Sequence, residues 1–455
     1  MIALWWQNSS PILLALSVAL LIMALWRRRV YCTVLCVLGG ILLGCWYGSL
    51  ARGELEVYAP LFASNISITG NVKEDPTRNT KNQLVLQLDR ITVHEHQLAG
   101  TVWVSLIGNP DIKRGDIVMV SGIFEKGFGT FAGVIFTAKV MNIQRPEPGD
   151  VGRKVRDWFA SAIRRAIPEP QASLGIGYLT GQKSALPTEL SEALQIAGLS
   201  HVVVASGYNL TILVRLARRL FMRISKFVSA FASSIMIASF VAMTGLSPSM
   251  TRAGLVSGLS LLSWYYGRRF HPFVLLPLAA AITVAFQPSY AWGDVGWQLS
   301  FSAFAAVMIV GPLLQRFFFG EKEPGTIRQI LGETVAAHMV TIPIIVASFG
   351  IISNVAIIAN IMIVPLVPLA MLLTFISGIA ALVMEPIASI IALPATWLLT
   401  YMTTTAQYLA DLPWAQTEFS AQWWMIILYY VMLVVACVVM QRVSKFQLRE
   451  VNIVA

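Results

Sequence analysis

The sequence predicts a polytopic α-helical membrane protein with a small extracytoplasmic β-barrel domain, OB-like in type, inserted after an N-terminal helical hairpin. Three observations predict it. Of 455 residues, 56% are hydrophobic and 12% charged, about half the charged fraction of an ordinary soluble domain, which is ~25%. Apolar runs recur from Ile12 to Met440, many approaching the roughly 20 residues that a helical span needs. Between the second run and the later ones lies a polar stretch with period-2 patterning. A single anchor on a soluble enzyme is thereby excluded, and so is a membrane β-barrel, whose segments are short and alternating throughout.

The elements follow in order. Ile12–Trp26 and Val30–Tyr47 are joined by Arg27, Arg28 and Arg29; by the positive-inside rule this turn is cytoplasmic, so residues 1–50 form a transmembrane hairpin with both ends outside. Almost no basic region precedes the first run and a second span follows directly, which argues against a cleaved signal peptide. Residues 51–148 are then extracytoplasmic. Strands are predicted at 66–70, 83–88, 101–106, 117–122 and 133–138, each bounded by turn chemistry such as Asn109-Pro110 and Arg114-Gly115-Asp116. About five short strands fit a small barrel of the OB kind, a scaffold that stacks nucleic-acid bases on aromatic side chains. Trp103, Phe124, Phe128, Phe131 and Phe136 serve either as its core or as such a surface.

Residues 149–170 carry Arg153, Lys154, Arg156, Arg164 and Arg165 beside Trp158 and Phe159, the composition of an amphipathic helix lying at the membrane interface. Residues 171–441 form a multi-helix transmembrane domain. Its spans are expected near 227–246, 253–266, 272–286, 295–314, 331–349, 351–384 (broken at Pro365 and Pro368), 387–409 and 423–440. The tail, 442–455, is cytoplasmic. Several runs are short or interrupted by Gly and Pro, which is tolerated at membrane depth where backbone is buried or lines an aqueous path, so a channel or transporter is indicated rather than a receptor.

The net charge of +10 is concentrated: residues 151–226 hold 11 Lys and Arg against 4 acids. That excess beside the membrane favours an anionic partner, either phospholipid head groups or nucleic acid. The four cysteines lie in or beside apolar runs, as packing residues do. His94-Glu-His96 lies in the β domain with no Asp-His after it and reads as a solvated strand face, so no metal site or cofactor is assigned.

Polar residues cluster at Ser200, His201, Ser206, Asn209 and Thr211 within an apolar stretch, where they are costly unless paired or wet. They either satisfy one another in a helix break or form a hydrolase pair, Ser206 with His201 as base, although no oriented acid accompanies them. Asp294 and Gln298 share one helical face; Asp294 either caps that helix or forms a gate or ion site. Glu333 and His338 lie in another apolar run as interior lining.

The run Ala197-Gly-Leu-Ser-His through Asn209, preceded by Leu179-Thr180-Gly181, resembles the signature of the ComEC-type competence proteins. Four more segments agree in order: Pro248-Ser-Met-Thr-Arg-Ala253, Gly267-Arg-Arg269, Gly296-Trp-Gln-Leu-Ser-Phe301, and Ala359-Asn360 through Pro365. Two departures stand out. Asn209 replaces the family's usual His and does not titrate near neutrality. The C-terminal metallo-β-lactamase-like domain of many members is expected to be lacking, and no nuclease is assigned.

The resemblance implies a non-enzymatic, multi-pass channel of the bacterial inner membrane that imports single-stranded DNA during natural transformation. The DNA path would be built from His201, Ser206, Tyr208, Asn209, Arg252, Arg268, Arg269, Asp294, Gln298 and Asn360. Such a path needs cations for phosphate and aromatic faces for bases; the 215–226 cluster, Trp264, Tyr265, Trp292 and Trp297 are also available. Each Arg serves either that role or a lipid head group, and each Trp either stacking or the interfacial belt. Further implied partners are anionic membrane lipids, a DNA receptor, a separate nuclease and a cytoplasmic DNA motor, since the chain has no GxxxxGK[ST] loop; a homodimer stays open. The rival reading is a proton-coupled transporter of a small or lipidic anion, using Asp294, Glu333 or His338.

Overall fold

The computed structural model describes residues 11–26, 30–79, 83–93, 96–108, 110–182, 186–203, 207–245, 247–267, 272–320 and 325–444. They fall into two compact units, residues 1–149 with 282–294, and residues 150–281 with 295–455.

In the first unit α1 (Pro11–Trp26) and α2 (Val30–Glu56) pack as the expected hairpin. The Ser17 hydroxyl donates to the Gly39 carbonyl (2.9 Å), a small-residue contact that lets the backbones approach. The second helix outruns its apolar segment by two turns. Seven strands follow: β1 (Asn65–Val72), β2 (Thr77–Arg78), β3 (Leu84–Val93), β4 (His96–Leu98), β5 (Thr101–Leu106), β6 (Ile117–Lys126) and β7 (Phe131–Gln144). Five of them close a ring in the order β1, β6, β7, β5, β3 and back to β1, while β2 and β4 are short additions to β3. All ring pairs are antiparallel except β5 with β7. Along β3 Leu84, Leu86 and Leu88 alternate inward as a closed sheet demands, and the pattern shifts by one residue at Arg90, whose φ is 48°, so that Ile91 and Val93 are the next buried pair. Tyr58 and Phe62 stack on Phe124, each at 5.7 Å between ring centres, and so carry the chain from α2 into the barrel core.

The second unit opens with α3 (Val151–Ala166), whose N-terminus is capped by Asp150 accepting from the Arg153 N–H (2.8 Å). Its exposed residues, among them Val151, Lys154, Val155, Trp158, Arg164 and Arg165, follow one helical stripe. Lys154, Arg164 and Arg165 are exposed, but Arg153 and Arg156 are buried. The helix packs Phe159 against Phe375 of α15 (Val367–Val383). Then come α4 (Gln171–Thr180), almost wholly buried, α5 (Thr188–Ile196), α6 (Ser200–Val203), α7 (Gly207–Phe221), α8 (Lys226–Thr244) and α9 (Pro248–Tyr265), and, after α10 (Pro272–Phe286), whose last residues are counted with the first unit, and α11 (Tyr290–Gly293), which belongs to the first unit, α12 (Val295–Phe319) and α13 (Thr326–Phe349).

Residues expected to begin a span at 351 instead form β8 (Ile351–Ser353), which pairs with β9 (Gln416–Glu418). Helices α14 (Ala356–Ile363) and α15 follow, with α16 (Glu385–Ile391), α17 (Leu393–Ala410) and α18 (Trp423–Ser444) completing the unit. Among the described residues five helical stretches are long and apolar enough to cross a membrane, and a sixth arises if α16 and α17, bent by 48°, count as one. The chain is a multi-pass membrane protein. Its main core gathers α4, α5, α14, α15 and α17.

Candidate functional site

Four of the motif segments meet in the second unit. The Ala197-Gly-Leu turn buries Ala197 and Leu199 completely, and Gly198 between them takes a left-handed φ of 72° that a side chain would disfavour. A methyl on Gly198 would also lie 2.6 Å from Ala356 at the start of α14. The Ser353 hydroxyl donates to the Ile196 carbonyl (2.6 Å). The signature turn is thus clamped to the segment carrying Asn360, which is 6% exposed with its Oδ1 sealed and without a partner among the described residues.

One helical turn on, His201 hydrogen-bonds the Gly198 carbonyl through its ring and lies within electrostatic range of His338 on α13. The residue as a whole is exposed. Asn209, by contrast, is fully buried and donates to the Tyr178 carbonyl (3.1 Å). It ties α7 to α4 rather than lining a path.

Arg252 occupies the centre. Its guanidinium lies 5.9 Å from the ring of Phe301 and 5.5 Å from that of Phe304, both on α12. On the α7 side it reaches over Gly207, where a methyl would sit 3.0 Å from Nη2 and 3.3 Å from Ala253. The Gly of the Ser-Gly pair, the Arg-Ala pair and the final Phe of the Gly-x-Gln-Leu-Ser-Phe segment therefore build one pocket for one cation. Its Nε is sealed and has no hydrogen-bond partner, and no carboxylate pairs with it among the described residues. The aromatic faces offset part of the desolvation, about 1–2 kcal/mol each at most, far less than a buried charge costs. An anionic group would complete this site, and a guanidinium fork suits phosphate or carboxylate oxygens.

The remaining predicted residues are placed as follows. Asp294 is half-buried, extended in backbone, immediately before α12, the position of a helix cap. Gln298 is half-buried on α12. Ser206, Arg268 and Arg269 lie outside the described residues, as do the side chains of Tyr208 and Trp292. Sequence reasoning missed Phe304 and the spatial role of Gly207. Phe304 was findable as the i+3 neighbour of Phe301 on the same helical face, and Gly207 only through its distant partner Arg252.

In the first unit, the barrel carries a separate aromatic group. Trp103 meets Phe128 (5.9 Å) and Phe136 (5.5 Å), and Phe128 meets Phe131 (5.3 Å). Phe128 and Phe136 are about half exposed, so this cluster is surface while Phe124 is core.

Apolar helices long enough to span, around a half-buried cation with no carboxylate partner among the described residues, define a multi-pass membrane protein with a polar site inside its helical bundle. The chain belongs to the Competence protein family, whose profile it matches over residues 178–443. It is also similar to ComE operon protein 3 of Bacillus subtilis (strain 168), 23% identical over 243 residues, which cover 52% of this chain and 30% of that relative. No solved structure matches the chain.

Proposed function

We propose that the protein is the conduit through which one strand of incoming DNA crosses the bacterial inner membrane, with Arg252 contacting phosphate along the path. The carrying observation is the convergence of three family segments on an arginine that no carboxylate among the described residues neutralises. His201 and Asn360 belong to the same path, Gln298 borders it, and Asn209 positions α7. In this reading Ser206, Tyr208, Arg268, Arg269 and Asp294 extend the path, and the cytoplasm receives both the tri-Arg turn and the C-terminus. The barrel is extracytoplasmic and OB-like: its ring order, with the third and fifth ring strands in chain order paired in parallel, supports that type, and its Trp103 cluster offers faces for bases. Such a protein positions and passes its substrate without a covalent step.

The proton-coupled transporter draws less support. Glu333, one of its candidate proton carriers, accepts from Gln329 (2.9 Å) on the same helix at an exposed position, which marks a surface pair rather than a relay.

The test is uptake of labelled DNA by cells carrying the wild-type protein, no copy, or Arg252→Met at matched membrane levels. Losing a charge-assisted phosphate contact of roughly 2 kcal/mol predicts a fall in internalised DNA of at least about thirtyfold, with DNA still bound outside. Undiminished internalisation by Arg252→Met would overturn the role given to Arg252. Undiminished internalisation without the gene would overturn the conduit.

A further inference from the structure

A second cationic site lies where α7 ends, beside the last turn of α9. Arg215, Arg218, Arg219 and Met222 line an open pocket of about 600 Å³ together with Leu216 and Trp264. The Trp264 ring holds two cations, Arg218 at 5.4 Å and Lys226 at 5.7 Å, and Lys226 also lies 5.6 Å from Tyr265. Arg215 stands close enough to Arg218 to repel it. No acid pairs with any of these arginines among the described residues. Four positive charges held together, with no counter-ion among the described residues, form a site for an anion.

The surroundings select which anion. Leu216 and Leu220 on the neighbouring strip of α7 are 52% and 62% exposed, and Phe227 and Phe231, stacked on α8, are 66% and 59% exposed. A cation pocket that shares Leu216 with an exposed apolar surface, part of it on the span-length helix α8, matches an amphiphile: phosphate at the pocket, hydrocarbon along the leucines and phenylalanines. A nucleic-acid base would need the Trp264 face, which two cations already engage.

We propose that this pocket binds the phosphate head group of an anionic phospholipid, with its acyl chains lying over Leu216, Leu220 and Phe227. The assignment rests on the multi-pass character of the chain and not on the DNA conduit, so it stands or falls separately from that reading. Arg218 holds the head group against Trp264, Arg215 and Arg219 supply the second and third charges, and Met222 closes the apolar floor.

The experiment is native mass spectrometry of the purified full-length chain from membranes with equal phosphatidylglycerol and phosphatidylcholine. Phosphatidylglycerol should be retained in preference. Arg218→Ala with Arg219→Ala should cut that retention roughly tenfold, the effect of losing one or two charge-assisted contacts, whereas Arg218→Lys with Arg219→Lys should keep most of it and shows that folding is intact. Equal retention of both lipids would overturn the proposal. So would displacement of the lipid by an oligothymidylate, which would assign the pocket to nucleic acid, or by glycerol phosphate as effectively as by whole lipid, which would reduce it to a simple anion site.

Discussion

Two arginines in the two units have opposite electrostatic surroundings. Arg145 in the barrel donates to the Asp116 carboxylate from Nε (3.1 Å) and Nη2 (2.9 Å), and to the Asp111 carbonyl (2.9 Å). Asp116 is 1% exposed and also accepts from the Lys113 N–H (2.9 Å). This pairing raises the Arg145 pKa further above its ordinary value, Asp116 being the main cause. Arg252 has two phenylalanine rings and, among the described residues, no carboxylate. Every charge of the barrel pair is used to hold two chain segments together; the charge in the helical bundle is left over after folding. A charge inside an apolar bundle that folding does not use is one that a ligand can use.

The sharpest way to break this contrast is to remove the charge at Arg252 and ask what is lost. Arg252→Met keeps the volume near Phe301 and Phe304 and removes an unpaired cation. Thermal unfolding of the purified full chain should therefore show stability unchanged or raised by about 1–2 kcal/mol, while uptake collapses. Marked destabilisation by this variant would make Arg252 a packing residue and dissolve the contrast.

Asp116→Ala should do the reverse. The carboxylate is buried but its partner is 43% exposed, so water recovers part of the lost pairing, and the cost should be roughly 2 kcal/mol. Uptake per inserted molecule should not change. A drop in uptake with full stability would mean that the barrel pair is also part of the path.

Gly207→Ala sharpens the comparison more finely. The added methyl would press on the end of a long flexible side chain, Arg252, and on Ala253, so folding should lose less than about 1 kcal/mol. Moving the guanidinium should still lower uptake several-fold, and the loss should vanish in an Arg252→Met background. Additive losses would show that the two residues act separately.

These contrasts were only partly legible in the sequence. The five ring strands were predicted within a few residues because alternation is a local signal, as at Leu84–Val93. The ring closure was not, since pairing β5 in parallel with β7 depends on segments far apart in the chain. Long apolar helices were plain from hydropathy, whereas Ile351–Ser353, equally apolar, became a strand because Gln416–Glu418 offers it a partner. At α3 the composition marked an amphipathic helix, but which of its basic residues fall on the buried side, Arg153 and Arg156, depends on neighbours that no local pattern reveals. The motif segments marked which residues matter. That Gly207, Arg252 and Phe301 touch came only from the fold.

The smallest effect tests the barrel's own polar bookkeeping. Tyr58 is 1% exposed and its hydroxyl donates to the Ala99 carbonyl (2.8 Å); burial raises its pKa above the ordinary value of 10.0. The folded state thus keeps a proton that the unfolded chain releases above that value, so its contribution is fully present below pH ~10 and falls as pH rises, by up to about 1.4 kcal/mol per pH unit. Tyr58→Phe loses one hydrogen bond, about 1 kcal/mol at neutral pH, but loses this alkaline slope as well. The stability curves of the two proteins should therefore converge and cross near pH ~11. Parallel curves would mean that Tyr58 ionises without unfolding the barrel around it, and that its hydroxyl reaches water after all.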